Sequence, residues 1–272
     1  MITQTVPALS FVTMGISLLF GIAIPLGLFI FYRKKYDCKI KPFITGCITF
    51  LVFAIVLESI CHAIILAGGR QEFIMARPLL YGLYGGLMAG LFEETGRFLA
   101  FKTVLKDSHD TDNTALMYGA GHGGFEVFYI LFASSISNIV MAAMINSGNT
   151  QLLTASLTGD KLSAMQQLID TLVTTKPLAY CAGIIERLPA VAFHISLSLI
   201  VWFAAKNKEK WYLYPLAIIL HLVLDAATAT LAAYKVNVVL IEAFIYVFAI
   251  AIIFLALKIW RKNSGSNSRV DV

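Results

Sequence analysis

The sequence predicts an all-α, polytopic membrane protein of about seven transmembrane helices, with a four-helix core carrying the chemistry. Three observations predict it. Of 272 residues, 58% are hydrophobic and only 14% charged, with a mean hydropathy of +0.79, whereas globular domains average about 25% charged residues. The apolar runs are long and apolar all round, as in helices facing lipid, not amphipathic as on a soluble core. Ionisable residues recur inside those runs, where each costs roughly 2.5–3.5 kcal/mol to insert and therefore needs a reason.

A span needs about 20 apolar residues. The runs that qualify are Phe11–Tyr32, Phe43–Ala67, Leu79–Phe101, Ala115–Ile145, Leu178–Ala205, Tyr212–Ala233 and Val238–Trp260. The fourth and fifth are long enough to tilt or to extend beyond the bilayer. Residues 1–262 are expected to form a single membrane domain, its core helices within about 79–233. No basic stretch precedes the first run, so no cleavable signal peptide is expected.

The basic residues set the orientation. Arg33, Lys34, Lys35, Lys39 and Lys41 follow the first run. Lys206, Lys208 and Lys210 follow the fifth, and Lys258, Arg261, Lys262 and Arg269 the last. Seven spans place all three groups on one side, the cytoplasm, and the N-terminus outside. The net charge of +5 is thus a topology signal, not a nucleic-acid footprint. A multi-pass protein of a bacterial plasma membrane is expected.

The longest connection, Asn146 to Pro177, carries Leu162, Met165, Leu168, Ile169 and Leu172 at helical spacing. It predicts an outer amphipathic connector within about 150–175, either a surface-lying link or a gate. The Ser/Asn/Gly-rich tail, 263–272, is expected to be disordered and cytoplasmic. Cys38, Cys47, Cys61 and Cys181 show no paired disulfide or zinc-finger spacing and read as filler or free thiols.

The polar residues inside the runs are Glu58, His62, Glu93, Glu94, Arg97, His122, Glu126, Glu186, Arg187, His194, His221, Asp225 and Glu242. Glu93, Glu94, His122, His194 and His221 lie about 8–11 residues from the cytoplasmic ends of four different helices, or roughly 12–17 Å deep at 1.5 Å per residue. Four helices thus deliver polar groups to one level. Glu93/Arg97, His122/Glu126, His221/Asp225 and Glu58/His62 are each four apart and share a helix face. A carboxylate beside a histidine fixes its tautomer, and an arginine beside two glutamates can hold one as an anion. Glu93 or Glu94 then suits a general base acting on water. Glu58/His62 and Glu242 read as structural hydrogen-bonding glue, and Arg187 as a partner for Glu186. Glycines 82, 85, 86, 90 and 96 on the third helix, and 119, 121, 123 and 124 around His122, either let helices approach closely or leave room for water and substrate.

The run Glu93-Glu94-Thr95-Gly96-Arg97 resembles the paired-glutamate motif of the CPBP superfamily of intramembrane proteases. That superfamily includes the type II CAAX prenyl endopeptidases, PrsW-like proteases and the Aph subunit of γ-secretase. The chain is most similar to its YhfC family, whose pattern continues here as Gly121 to Glu126, Glu186-Arg187 with Phe193-His194, and His221 to Asp225. Four motifs in order on four successive spans make the resemblance specific over the middle half of the chain. It implies a peptidase whose glutamate activates water while histidines position that water and stabilise the oxyanion. The chain departs from the CAAX enzymes: its arginine follows the glutamates by one residue fewer, and Asp225 stands where they carry asparagine. Prenylated substrates are therefore not implied.

The catalytic set is accordingly Glu93, Glu94, His122, His194 and His221, supported by Arg97, Glu126, Glu186 and Asp225. His122, His194 and His221 could hold Zn²⁺ with a position left for water. No His-Glu-x-x-His run signals the metal, so the cofactor stays open between Zn²⁺ and none. The expected partners are the lipid bilayer and a membrane protein or peptide substrate, with no nucleic acid. The rival readings are a proton- or ion-coupled transporter, which also uses buried Glu/His/Asp chains, and a non-catalytic membrane scaffold, since fold alone does not prove catalysis.

Overall fold

The computed structural model describes residues 5–264, and no strand occurs among them. We number its long helices α1 Ala8–Tyr36, α2 Ile40–Ile65, α3 Pro78–Lys102, α4 Asn113–Asn146, α5 Gly159–Thr174, α6 Ala182–Lys206, α7 Leu213–Ala233 and α8 Val238–Asn263. The chain is a polytopic all-α membrane protein. Among the described residues, six helical stretches are long and apolar enough to cross a bilayer: α1, α2, α4, α6, α7 and α8. The remaining run expected to span, α3, has 25 residues, about 37 Å of helix. It is set apart by the charges Glu93, Glu94, Arg97 and Lys102. The predicted tail from residue 265 on lies outside the described residues.

The chain divides into two compact units. One comprises the chain up to Ile24 with Val127–Arg187, and the other Pro25–Glu126 with the chain from Leu188.

The first unit is built on Val6, Met14, Ala142, Ile145, Ile169 and Leu172. The predicted amphipathic connector is the helix α5. It buries Ile169 and Leu172 and exposes Lys161, Gln166, Gln167 and Asp170, whereas Leu168, spaced to join the apolar side, is exposed. The Asn146 side chain ties the start of the chain down, accepting from Val6 N–H at 2.7 Å and donating to Val6 C=O at 3.0 Å. The Ser17 hydroxyl donates to the Tyr180 carbonyl at 2.6 Å.

The second unit is organised around α6. Every residue from Ser196 to Ala205 is buried, which is why this helix is apolar all round. Trp202, Phe203, Leu197 and Ile200 pack there with Phe101, Tyr118, Leu213 and, from α8, Ile245, Ala249 and Trp260. Asp112, just before α4, accepts from Trp202 Nε1 at 2.8 Å and Lys206 Nζ at 2.7 Å, pinning the α3–α4 connection to the end of α6.

Glycines fix how closely the other helices cross. A Cβ on Gly86 would lie 2.6 Å from the Leu222 carbonyl oxygen, and one on Gly90 2.8 Å from that of Ile218. With Gly82 they form a stripe four residues apart that brings the backbones of α3 and α7 into contact. On α4 the glycines alternate sides. Gly121 meets the backbone of Phe43 on α2, while Gly119 meets Ile195 Cα on α6. Close packing thus accounts for these glycines, and α4 is wedged between α2 and α6 at the level of His122. Both α2 and α4 contain a π-helical segment, Leu51–Leu57 and Phe128–Ala133, a register change common near functional sites.

Candidate active site

The depth coincidence read from the sequence is a physical cluster in the second unit. Glu93, Glu94 and Arg97 come from α3, His122 and Glu126 from α4, His194 from α6, and His221 and Asp225 from α7. Glu93, Glu94, Arg97, His122, His194 and His221 are all buried, Glu94, Arg97 and His122 completely.

Local sequence explains each placement. Gly90 and Gly86 let α3 lie on α7, so Glu94 and His221 meet. The flanking glycines bring His122 between α2 and α6. A Cβ on Gly123 would stand 3.1 Å from the His194 Cβ, so the small residue lets α4 and α6 close on each other there. Pro189, one turn before His194, has no N–H to give to the ladder of α6.

Glu94 is the anchor. Its Oε1 and Oε2 accept from Arg97 Nη1 at 2.9 and 2.8 Å, and Oε1 also faces His221 Nδ1 at 2.8 Å. Both its oxygens are committed. Arg97 extends this frame by donating from Nη2 to His194 Nδ1 at 3.2 Å. An imidazole nitrogen that accepts carries no proton, so His194 is protonated on Nε2, which lies 2.6 Å from Glu126 Oε2. His221 is flanked on its other nitrogen by Asp225 Oδ2 at 3.3 Å.

Glu93 is held differently. Its Oε2 lies 2.9 Å from His122 Nε2 and 3.7 Å from His194 Nδ1. The His122 ring stacks at 5.8 Å on Tyr118 and meets the Phe50 ring edge-on at 5.2 Å. Its Nδ1 is buried with no hydrogen bond to a described residue, which sets it apart from most buried polar atoms. The Phe193 ring lies 5.9 Å from His194 and 5.6 Å from His221, closing the apolar side of the cluster.

Three helices bring one group of donors together. Glu93, His194 and His221 each offer a ligand atom within 4.8 Å of the others, and all three are buried. Two imidazole nitrogens and one carboxylate oxygen are the donor set of His₂Glu sites for first-row divalent ions; here His194 Nδ1 also accepts from Arg97 Nη2, and both His221 nitrogens face carboxylates. The sequence reading grouped His122 with His194 and His221 instead. His122 contacts Glu93 Oε2 through Nε2, and the three donors that converge are those of Glu93, His194 and His221. Glu186, placed by sequence among the supporting residues, is ion-paired with Arg187 and four-tenths exposed in the first unit. Tyr84, which no local spacing singles out, hydrogen-bonds His62 Nδ1 at 2.7 Å, while Glu58 Oε1 contacts Nε2 at 3.1 Å. Tyrosine at the period of an apolar helix carries no polar signal, so only the fold could find it.

A family model described as "YhfC intramembrane metalloprotease" matches residues 20–248. A Bacillus subtilis (strain 168) protein named "Uncharacterized membrane protein YhfC" is 41% identical over 199 residues, covering 73% of this chain and 76% of that protein. No solved structure matches.

Proposed function

The chain belongs to the YhfC intramembrane metalloprotease family, and from that premise we propose that it is an endopeptidase cleaving a peptide bond in or near the membrane at the Glu93–His194–His221 group. The observation that carries this reading is the convergence of those three buried donors from three helices within 4.8 Å. Buried ionisable groups in a membrane protein are costly and mark function by default.

Glu93, His194 and His221 would hold a divalent metal, Zn²⁺ by the character of the donors. Such an ion supplies Lewis acidity toward water and the scissile carbonyl. The chain's own residues do the rest. Glu94 and Arg97 form a fixed ion pair that orients His221 and His194. Arg97 sets the tautomer of His194 by donating to Nδ1, and Glu126 lies against Nε2. Asp225 steadies His221 from outside. His122 holds one oxygen of Glu93 and so fixes the carboxylate's direction. Supporting contacts of this kind typically change metal affinity or activity 10–100-fold when removed.

A second reading rests on the 2.9 Å contact between His122 and Glu93: Glu93 takes the proton from water without a metal, and the histidines stabilise the oxyanion. Glu94, committed to Arg97 and His221, serves as frame in both. Elemental analysis of detergent-purified protein separates them. Under the metal reading the wild type carries about one equivalent of zinc and His221→Ala carries none. Wild type free of metal, with cleavage abolished by Glu93→Gln, establishes the second. Cleavage that survives Glu93→Gln overturns both.

We place the N-terminus outside and the C-terminus in the cytoplasm of a bacterial plasma membrane, with α3 as the seventh span. The basic clusters at Arg33–Lys41, Lys206–Lys210 and Lys258–Lys262 support this by the positive-inside rule. The substrate in this reading is a membrane protein or peptide.

A further inference from the structure

Beside the buried cluster lies a cavity of about 520 Å³ whose lining includes His62, Tyr81, Tyr84, Gly85, Asp225 and Thr228. Its walls come from α2, α3 and α7. Three features distinguish it from a packing gap.

It reaches the cluster through one residue. Asp225 contacts His221 Nε2 at 3.3 Å, yet its side chain is 40% exposed, whereas His221 is 3% and Glu94 0% exposed. Its wall also carries an ordered polar chain at membrane depth. Glu58 and Tyr84 occupy both nitrogens of His62, which leaves the Tyr84 hydroxyl, a donor and an acceptor, with hydrogen-bonding capacity to spare. Lastly, the glycines of α3 divide their work. Gly82, Gly86 and Gly90 are pressed against α7, but a Cβ on Gly85 would meet nothing within 4 Å.

A helix with its side chains is about 10–12 Å wide and advances about 5.4 Å per turn. The cavity therefore holds about one helical turn, or a few extended residues. Hydrolysis needs a carbonyl that is not buried in a helix's own hydrogen bonds. An extended segment inside the membrane leaves peptide N–H and C=O groups unpaired at a cost of several kcal/mol each, unless the protein pairs them. The Tyr84 hydroxyl and the free face of the Asp225 carboxylate are placed to do so.

We propose that this cavity is the substrate subsite: it binds an unwound segment of a membrane-spanning polypeptide, pairs its freed peptide groups with Tyr84 and Asp225, and leads the adjoining peptide bond to Glu93, His194 and His221. The proposal rests on the peptidase reading for the fate of that segment, not for its binding.

The test uses the full chain in liposomes, with Cys38, Cys47, Cys61 and Cys181 replaced by alanine and cysteine placed at Gly85 or, as a control, at Gly27. Gly27 is exposed on α1 and also has open space around it. A sulfonated maleimide, added on both sides, should alkylate Gly85→Cys at least tenfold faster than Gly27→Cys. An excess of a synthetic membrane-spanning leucine–alanine peptide with a central Gly-Pro pair should slow only the Gly85→Cys reaction, several-fold. The same peptide without the Gly-Pro break should not. Equal rates at the two positions, or no protection by the interrupted peptide, overturn the proposal. If the cysteine-free chain fails to fold, Gly85→Leu in the native background answers the question. It should purify folded and bind the labelled interrupted peptide at least tenfold more weakly, and unchanged affinity overturns the proposal. Protection should persist in Glu93→Gln. Protection without any Glu93-dependent cleavage would therefore sink the peptidase reading and keep the subsite, whereas cleavage without protection would do the reverse.

Discussion

Glu94→Gln should strongly destabilise the second unit while Glu93→Gln should leave its stability nearly unchanged, although the two residues are adjacent. Glu94 is 0% exposed and faces Arg97, also 0% exposed, with one guanidinium nitrogen 2.8 and 2.9 Å from its two oxygens. Gln at 94 leaves the Arg97 cation buried without a counter-charge and turns an NH₂ toward donors. Removing one partner of a buried ion pair costs about 3–5 kcal/mol, a large share of a typical stability of about 5–15 kcal/mol. Glu93 makes one short contact, to His122. Its amide keeps an oxygen that can accept, so the loss is about 1 kcal/mol, while the chemistry is expected to fall at least 100-fold. Thermal unfolding in detergent, followed by the monodisperse fraction recovered on gel filtration, measures the difference. The double variant Glu94→Gln/Arg97→Met should recover most of the loss, because both charges are then gone. Equal stability of the two single variants, or a double variant worse than Glu94→Gln, would refute the assignment of Glu94 as frame and Glu93 as reactive group.

Four further outcomes follow from the same geometry. His194→Ala and His221→Ala should abolish metal binding, whereas His122→Ala should weaken it about 10–100-fold by freeing Glu93; competition with a chromogenic chelator reads the order. Gly86→Ala drives a Cβ to 2.6 Å from the Leu222 carbonyl oxygen and should cost about 1–3 kcal/mol as overpacking, whereas Gly85→Ala should be neutral or gain up to about 1 kcal/mol of helix propensity; melting temperatures of the pair decide. Asp112→Ala strands the buried Trp202 Nε1 and should cost about 1–3 kcal/mol, seen in the same melting assay. Burial, with the Asp37 carboxylate beside it, pushes the Cys38 thiol from 9.0 up to about 11. Only the thiolate alkylates, so iodoacetamide should modify Cys38 at pH 8 about 100-fold more slowly than an unperturbed thiol, and the rate should climb about tenfold per pH unit up to pH 10.

Much of this protein was determined by its sequence alone. The seven apolar runs appear as helices because in lipid a predominantly apolar run must satisfy its backbone N–H and C=O groups internally. The connector at Leu162–Leu172 folds as the amphipathic helix its spacing demands. The level shared by Glu93, Glu94, His122, His194 and His221 follows from the fixed rise of the helix, so four helices had to deliver them to one depth. What depth cannot give is rotation and crossing, and these the tertiary structure decided. Whether Glu93 or Glu94 faces Arg97 depends on which side of α3 the stripe Gly82–Gly86–Gly90 presses on α7. Whether His122 is one of the converging donors or a contact of Glu93 depends on α4 being wedged between α2 and α6 by Gly119 and Gly121. The partnership of Tyr84 with His62, and the open space at Gly85, arise only when α2, α3 and α7 are packed together, because each depends on atoms distant in the chain that no local spacing encodes.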